Sequence, residues 1–159
     1  ERPVLGDGDG DWRARLTVVA DDNLALFADH PWLADIESER AVLGPGTLAK
    51  YERELAAVES LAVGDVEKDA ALSLVLDFTR SAARAFSHAA RERDGETPED
   101  WWDREGADLA RLGVTDRFPL ASRIGTAAGR AHGAAHDARH AYHFGLQVIL
   151  DGLGCTESR

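Results

Sequence analysis

The strongest hydrophobic pattern in the chain runs from Val66 to Arg93, a stretch without proline or glycine. At 100° per residue its apolar positions form two adjacent stripes, which together cover roughly 200° of a helix, about twice what a surface helix needs. The stripes are Ala71, Val75, Phe78, Ala82, Phe86 and Ala89, and Leu72, Leu76, Thr79, Ala83 and Ala90. The pattern predicts a central helix that packs on its own domain and also on a further layer of the chain or a second copy.

Shorter helical patterns flank this stretch and are bounded by proline, glycine and capping residues. Residues 125–137 are rich in alanine and glycine and are predicted to be weakly ordered. With residues 1–10 as a flexible lead-in and 155–159 as a tail, the sequence predicts one all-α domain over residues 11–154. The predicted helices cover residues 12–29, 32–41, 47–61, 97–113, an element beginning near 117, and 138–153.

Asn23 is a polar residue on the apolar face of the first predicted helix, which also carries Trp12, Leu16, Val19, Leu26 and Phe27. A buried amide without a partner costs roughly 1–3 kcal/mol. Asn23 must therefore meet a polar partner inside the protein or line a cavity that a ligand or water completes.

The last predicted helix has two usable faces. Tyr142, Leu146, Ile149, Leu150 and Leu153 form a core side, whereas Ala141, Gly145, Val148 and Gly152 lie on another side. Small residues at this spacing allow a second helix to approach closely. A second face on a terminal helix favours a contact between subunits.

The composition of the chain excludes further classes of function. A net charge of −11 argues against nucleic-acid binding by this chain alone, because phosphate contacts need a basic face. The single Cys155 fits a reducing compartment, and the lack of a signal peptide or long apolar run predicts a soluble cytoplasmic protein without membrane contact. The sequence contains no methionine, which indicates a fragment or a processed piece.

Motifs for catalysis are absent, so no enzyme activity and no cofactor is predicted. Four histidines are spaced by 4, 4 and 3 residues, and a continuous helix would place them on one stripe: His132, His136, His140 and His143. Pairs at this spacing can bind zinc or nickel, but such a ladder does not converge on one point. A metal site using His132, His136 and His140 is therefore a minor alternative to a solvated face.

Trp101 and Trp102 follow a helix start at Thr97-Pro98-Glu99-Asp100. Adjacent helical positions point about 100° apart, so at most one of these indoles can lie squarely in the core. The other is expected at a rim, a cavity wall or a subunit contact.

The order of the motifs resembles the C-terminal ligand-binding and dimerisation domain of TetR/AcrR-type transcriptional repressors. The residues that carry the resemblance are Trp12 with Leu16, Asp29-His30-Pro31-Trp32-Leu33, Leu43-Gly44-Pro45-Gly46, the long helix, Arg117-Phe118-Pro119, and the final segment from Phe144 to Leu153. The resemblance implies an antiparallel bundle of about six helices. It also implies a homodimer held by a four-helix bundle from the central and last helices of both copies.

The resemblance further implies an effector cavity between the first helix, the helix after Leu43-Gly44-Pro45-Gly46 and the central helix. The chemical identities differ from those of tetracycline-binding members, so a small hydrophobic or aromatic effector is expected. The implied pocket residues are Leu16, Val19, Asn23, Phe27, Tyr51, Leu55, Ser73, Leu76, Asp77, Arg80, Trp101 and Trp102. The implied dimer residues are Val75, Phe78, Ala82, Phe86, Ala141, Gly145, Val148 and Gly152.

Members of this family carry an N-terminal helix-turn-helix domain that reads operator DNA. The leading interpretation is therefore the effector-binding and dimerisation half of a repressor. The alternatives are a stand-alone protein that sequesters a drug without binding DNA, and a metal sensor that uses the histidines from His132 to His143.

Overall fold

A computed structural model describes residues 12–36, 44–92, 97–113, 116–134 and 136–156. The described residues form six α-helices and one 3-10 helix and contain no strand, which confirms the all-α prediction. The α-helices are α1 (Trp12–Asp29), α2 (Pro45–Leu55), α3 (Asp65–Glu92), α4 (Pro98–Arg111), α5 (Pro119–His132) and α6 (Ala138–Thr156), and the 3-10 helix η1 is Pro31–Asp35.

Helix α1 has the predicted bounds, because the residue before a proline is pushed out of the α region and Pro31 follows His30. It buries Trp12, Leu16, Ala20, Asn23 and Phe27. Asn23 thus lies on the buried face of the helix, as the sequence predicts.

The helix predicted over residues 32–41 is wrong in its described part. The chain forms only the short 3-10 helix η1, and Ile36 is already extended. The carbonyl of Ala34, which a continuing α-helix would use, instead accepts a hydrogen bond from Nε of Arg84 at 2.8 Å. Arg84 also lies 3.6 Å from the Asp35 carboxylate, so η1 is anchored to α3. Residues 37–41 lie outside the described residues.

Helix α2 ends at Leu55, six residues before the predicted end, and turns follow it. The Tyr51 hydroxyl donates to Asp69 of α3 at 2.5 Å. This hydrogen bond ties α2 to the first turns of the central helix.

Helix α3 is the predicted central helix and is 28 residues long. Acidic residues in its first turn and Arg91 in its last turn complement the helix dipole. Both apolar stripes supply buried residues: Ala71, Leu72, Val75, Thr79, Ala82 and Ala83. A further layer of the same chain therefore covers much of the wide apolar arc.

Capping residues determine where the C-terminal helices begin and end. The backbone N–H of Asp100 donates to Oγ1 of Thr97 at 3.1 Å, which confirms the predicted start of α4. Within the stretch predicted to be weakly ordered, residues 125–132 are helical, because α5 runs through Gly125 and Gly129 to His132. It ends at Gly133, whose φ of 61° suits glycine.

The chain divides into two compact units. The first comprises Glu1–Arg84 and Tyr142–Arg159, and the second comprises Ala85–Ala141. Helices α3 and α6 each contribute residues to both units. None of the described helices is long and apolar enough to cross a membrane.

Candidate functional site

A buried polar pair joins α1 to α2 in the first unit. Nδ2 of Asn23 donates to Oε1 of Glu54 at 2.7 Å and also to the carbonyl of Val19 at 2.9 Å. Asn23 is 6% exposed and Glu54 is 8% exposed. The structure therefore gives Asn23 an internal partner, one of the two outcomes that the sequence left open.

Sequence reasoning missed Glu54. Its carboxylate is paired with the ammonium of Lys50, one turn earlier in α2, and this lysine side chain is 40% exposed. A signal was present in the sequence, because Glu54 lies three residues after Tyr51 and four before Val58, next to the apolar face of its helix. This spacing places Glu54 beside an apolar face but does not identify Asn23 as its partner.

The residues predicted for the pocket on α1, α2 and α3 fall into three groups. Leu16, Asn23 and Phe27 are buried. Val19, Leu55, Leu76 and Arg80 are half-buried, and Tyr51, Ser73 and Asp77 are exposed. The buried and half-buried residues lie on α1, α2 and α3, the three helices between which the resemblance implies an effector cavity. Ser73 and Asp77 lie on the solvent side of α3.

Arg80 has an unusual environment. Its Nε atom is buried and has no hydrogen-bond partner among the described residues. Nε of Arg15 is in the same situation, although the Arg15 guanidinium donates to the Ser60 hydroxyl. An unpaired buried donor costs roughly 1–3 kcal/mol, so each Nε is a place where water or a ligand can supply an acceptor.

The two predicted tryptophans lie in the second unit. Trp101 is exposed on α4, which agrees with a rim or contact position and excludes the core of this unit. The Trp102 side chain lies outside the described residues.

A second constellation joins α6 to α3 and α1 within the first unit. The rings of Tyr142 and Phe78 stack with centroids 5.9 Å apart, and the Tyr142 hydroxyl donates to Asp21 at 3.3 Å. A Cβ built on Gly145 would lie 2.8 Å from Cε2 of Phe78. The small size of Gly145 is therefore used inside one chain, for the contact between α3 and α6.

Burial raises the pKa of Tyr142 to about 12, and the neighbouring Asp21 carboxylate adds to the effect. The neutral phenol is thus favoured in the folded chain, whereas an unfolded tyrosine ionises near pH 10.0. The stability from the neutral phenol is complete below pH 10 and is lost as the pH rises towards 12.

We expect the free energy of unfolding of the wild type to fall more steeply above pH 10 than that of Tyr142→Phe. Urea titrations of both proteins at a series of alkaline pH values measure this difference, since Tyr51 and the lysines are common to both. Parallel pH profiles would contradict it.

The predicted dimer residues also fall into different environments. Val75 has 0% exposure and Ala82 is buried, so both serve the chain's own core. Phe78 is half-buried against Tyr142, and the Arg139 guanidinium lies 5.4 Å above the Phe86 ring in the second unit. Of the rest, Ala141, Val148 and Gly152 are exposed on α6.

Sequence reasoning missed Phe144, which is 66% exposed, and Val148 one turn later is 53% exposed. These residues and Gly152 follow the four-residue spacing of one helical face, opposite Tyr142, Leu146 and Leu150. We call Phe144, Val148 and Gly152 the outer face of α6. An apolar helix face of this kind is typical of an interaction surface.

The histidines do not form a ladder, because the chain turns at Gly133 between α5 and α6. The rings of His132 and His140 approach to 4.7 Å between centroids, and Nδ1 of His132 lies 3.7 Å from Oδ2 of Asp137. Oδ1 of Asp137 accepts the backbone N–H groups of Arg139 and His140, which lowers the pKa of Asp137. Within the described ranges, no group of three or more histidine, cysteine or acidic residues is arranged to hold a metal.

The chain's sequence matches a known family. The pattern of the tetracyclin repressor-like C-terminal domain matches residues 4–156. The chain belongs to this family, which confirms the resemblance drawn from the motifs. It is a family of transcriptional repressors and not a family of enzymes.

A curated relative is the HTH-type transcriptional repressor DrrR1 of Streptomyces coeruleorubidus, which is 31% identical over 148 residues. The aligned region covers 92% of this chain and 53% of the relative. The chain therefore spans about half the length of that protein. The chain is a regulatory domain of the repressor type.

Proposed function

We propose that the chain is the effector-binding and dimerisation domain of a TetR-type repressor. The observation that carries this proposal is the family match over residues 4–156, nearly the whole chain. The name of the relative, HTH-type transcriptional repressor, indicates that the relative binds DNA. We propose the same activity for any longer protein of which this chain is part.

The effector site is placed between α1, α2 and α3. Its apolar walls come from Leu16, Val19, Phe27, Leu55 and Leu76, and Tyr51 lies at the rim. Asn23, Glu54 and Arg80 supply polar groups in largely apolar surroundings, which is the usual composition of a small-molecule site. A small effector with an apolar or aromatic body fits such walls. Ser73 and Asp77 are left out of the site because both are exposed.

The dimer is proposed to form through the outer face of α6. A two-fold axis would bring the Phe144, Val148 and Gly152 faces of two copies together, as an isologous contact requires. Helix α3 would contribute through Leu74, which is 50% exposed and lies one turn before Phe78, the residue that contacts α6. This surface replaces one built on Val75 and Gly145, whose neighbours lie in the same chain.

Signalling in such a protein is a population shift. An effector that binds one arrangement of the helices more tightly favours that arrangement. Because α3 is proposed to take part in both the effector site and the dimer contact, a change in one is expected to alter the other. Coupling free energies between sites are typically about 1–3 kcal/mol, a roughly 5- to 150-fold change in affinity.

Native mass spectrometry of protein purified from the organism that encodes it tests this function. We expect a species at twice the mass of the purified polypeptide that carries a bound small molecule, which is lost when the protein unfolds. A single-chain species without any bound molecule would contradict the proposal.

A further inference from the structure

Glu54 is a buried acid of the proposed effector site, and its negative charge has not yet been given a role. Its carboxylate lies among the residues of the proposed effector site, and the amide of Asn23 holds Oε1 at 2.7 Å. Both donor hydrogens of this amide are used, the second by the carbonyl of Val19. The amide therefore fixes the position of the carboxylate and leaves its charge to be balanced by a cation.

The cation in the structure is Lys50, and it is a weak partner. The ammonium and the carboxylate belong to one helix at a spacing of four residues, with the lysine first. This order is the less favourable one for a helical pair. The Lys50 side chain is also 40% exposed, so water can solvate its ammonium when it leaves. Within the described parts of the chain, the Glu54 carboxylate accepts no hydrogen bond besides those from Asn23 and Lys50.

A cationic ligand could therefore replace Lys50 at little cost. Hydrogen bonds that involve a charged group are stronger than neutral ones, and more so where water is excluded. The Glu54 side chain is 11% exposed, whereas the side chain of the lysine that it now binds is 40% exposed. The net charge of −11 also raises the local concentration of cations around the protein.

We propose that Glu54 selects the effector, and that the effector carries a protonated amine on an apolar or aromatic body. In the bound state the amine replaces Lys50 at the carboxylate, and Asn23 keeps the carboxylate oriented. This inference rests on the proposed effector site between α1, α2 and α3. It goes further because it assigns the charge of the ligand.

Dansylcadaverine, a fluorescent aromatic probe with a primary amine, tests the inference against its neutral N-acetyl derivative. We expect the wild type to bind the amine at least about tenfold more tightly than the acetylated probe. In Glu54→Gln, which keeps the shape of the side chain, the preference should fall to about twofold or less, with little change in the affinity for the acetylated probe.

Lys50→Met should raise the affinity for the amine about threefold or more, because a competing cation is removed. The matched control is Lys68→Met, which removes the Lys68–Glu59 ion pair and should change neither affinity. Melting curves from circular dichroism check that each variant is folded.

The results of these binding measurements distinguish the proposal about Glu54 from the proposal of an effector site between α1, α2 and α3. Equal binding of both probes by the wild type, or an amine preference retained in Glu54→Gln, would overturn the role of Glu54 and leave the effector site standing. Failure of the folded wild type to bind either probe would overturn both.

Discussion

Replacing Tyr142 with alanine should lower the free energy of unfolding by about 3–5 kcal/mol, the usual range for removing a buried aromatic ring. Tyr142 is buried at the point where α6 meets both α3 and α1. Its ring stacks on Phe78 and its hydroxyl donates to Asp21. The substitution removes the stacking partner of Phe78 and leaves a cavity that the packed helices cannot close. Urea unfolding followed by circular dichroism measures the loss.

Tyr142→Phe is the matched control, because it keeps the ring and removes only the hydroxyl. We expect it to cost about 0.5–1.5 kcal/mol, the net contribution of an ordinary hydrogen bond. If the alanine and phenylalanine variants were equally stable, the stack between α3 and α6 would have no energetic importance.

Val148→Asp should weaken self-association at least about 100-fold, which corresponds to about 2.7 kcal/mol. On the outer face of α6, a two-fold axis would bring the new carboxylate close to its own copy. Two like charges would then be desolvated together, which costs several kcal/mol. Phe144→Asp should act in the same direction, because Phe144 lies one turn away on the same face.

The control for these substitutions is Val66→Asp. Val66 is also an exposed valine of the first unit, but it lies in the first turn of α3, where an acid is favourable to the helix dipole. Sedimentation equilibrium of all three variants should show dissociation for the two α6 substitutions alone. Unchanged association of Val148→Asp would place the interface elsewhere.

Much of the fold could be predicted because its signals are local. The bounds of α1 and the start of α4 follow from Pro31 and from the capping Thr97. The central helix was predicted to within one residue at each end. The 3-10 helix η1 was not predicted, because its early end depends on Arg84, 50 residues away in sequence from the carbonyl of Ala34.

The candidate site was less predictable, since its chemistry depends on contacts between distant residues. The unusual position of Asn23 on an apolar face could be seen in the sequence. Its partner Glu54 lies 31 residues away, and nothing in α1 specifies it. Gly145 illustrates the same limit, because small size indicates close approach but not whether the neighbouring helix belongs to the same chain.

The wide apolar arc of α3 was the main argument for a second copy, and the structure changes how that argument applies. The chain's own helices bury residues from both stripes of α3, including Val75 and Leu72. The exposed apolar surface that supports a dimer lies instead on α6, at Phe144 and Val148. The expected partner is the same, but the residues that would contact it differ.

Sedimentation equilibrium of the wild type at micromolar concentration tests the central claim most directly. A domain that dimerises through the outer face of α6 should sediment at twice the chain mass of 17.2 kDa. A single-chain mass throughout that range, with Phe144 and Val148 left in solvent, would contradict it.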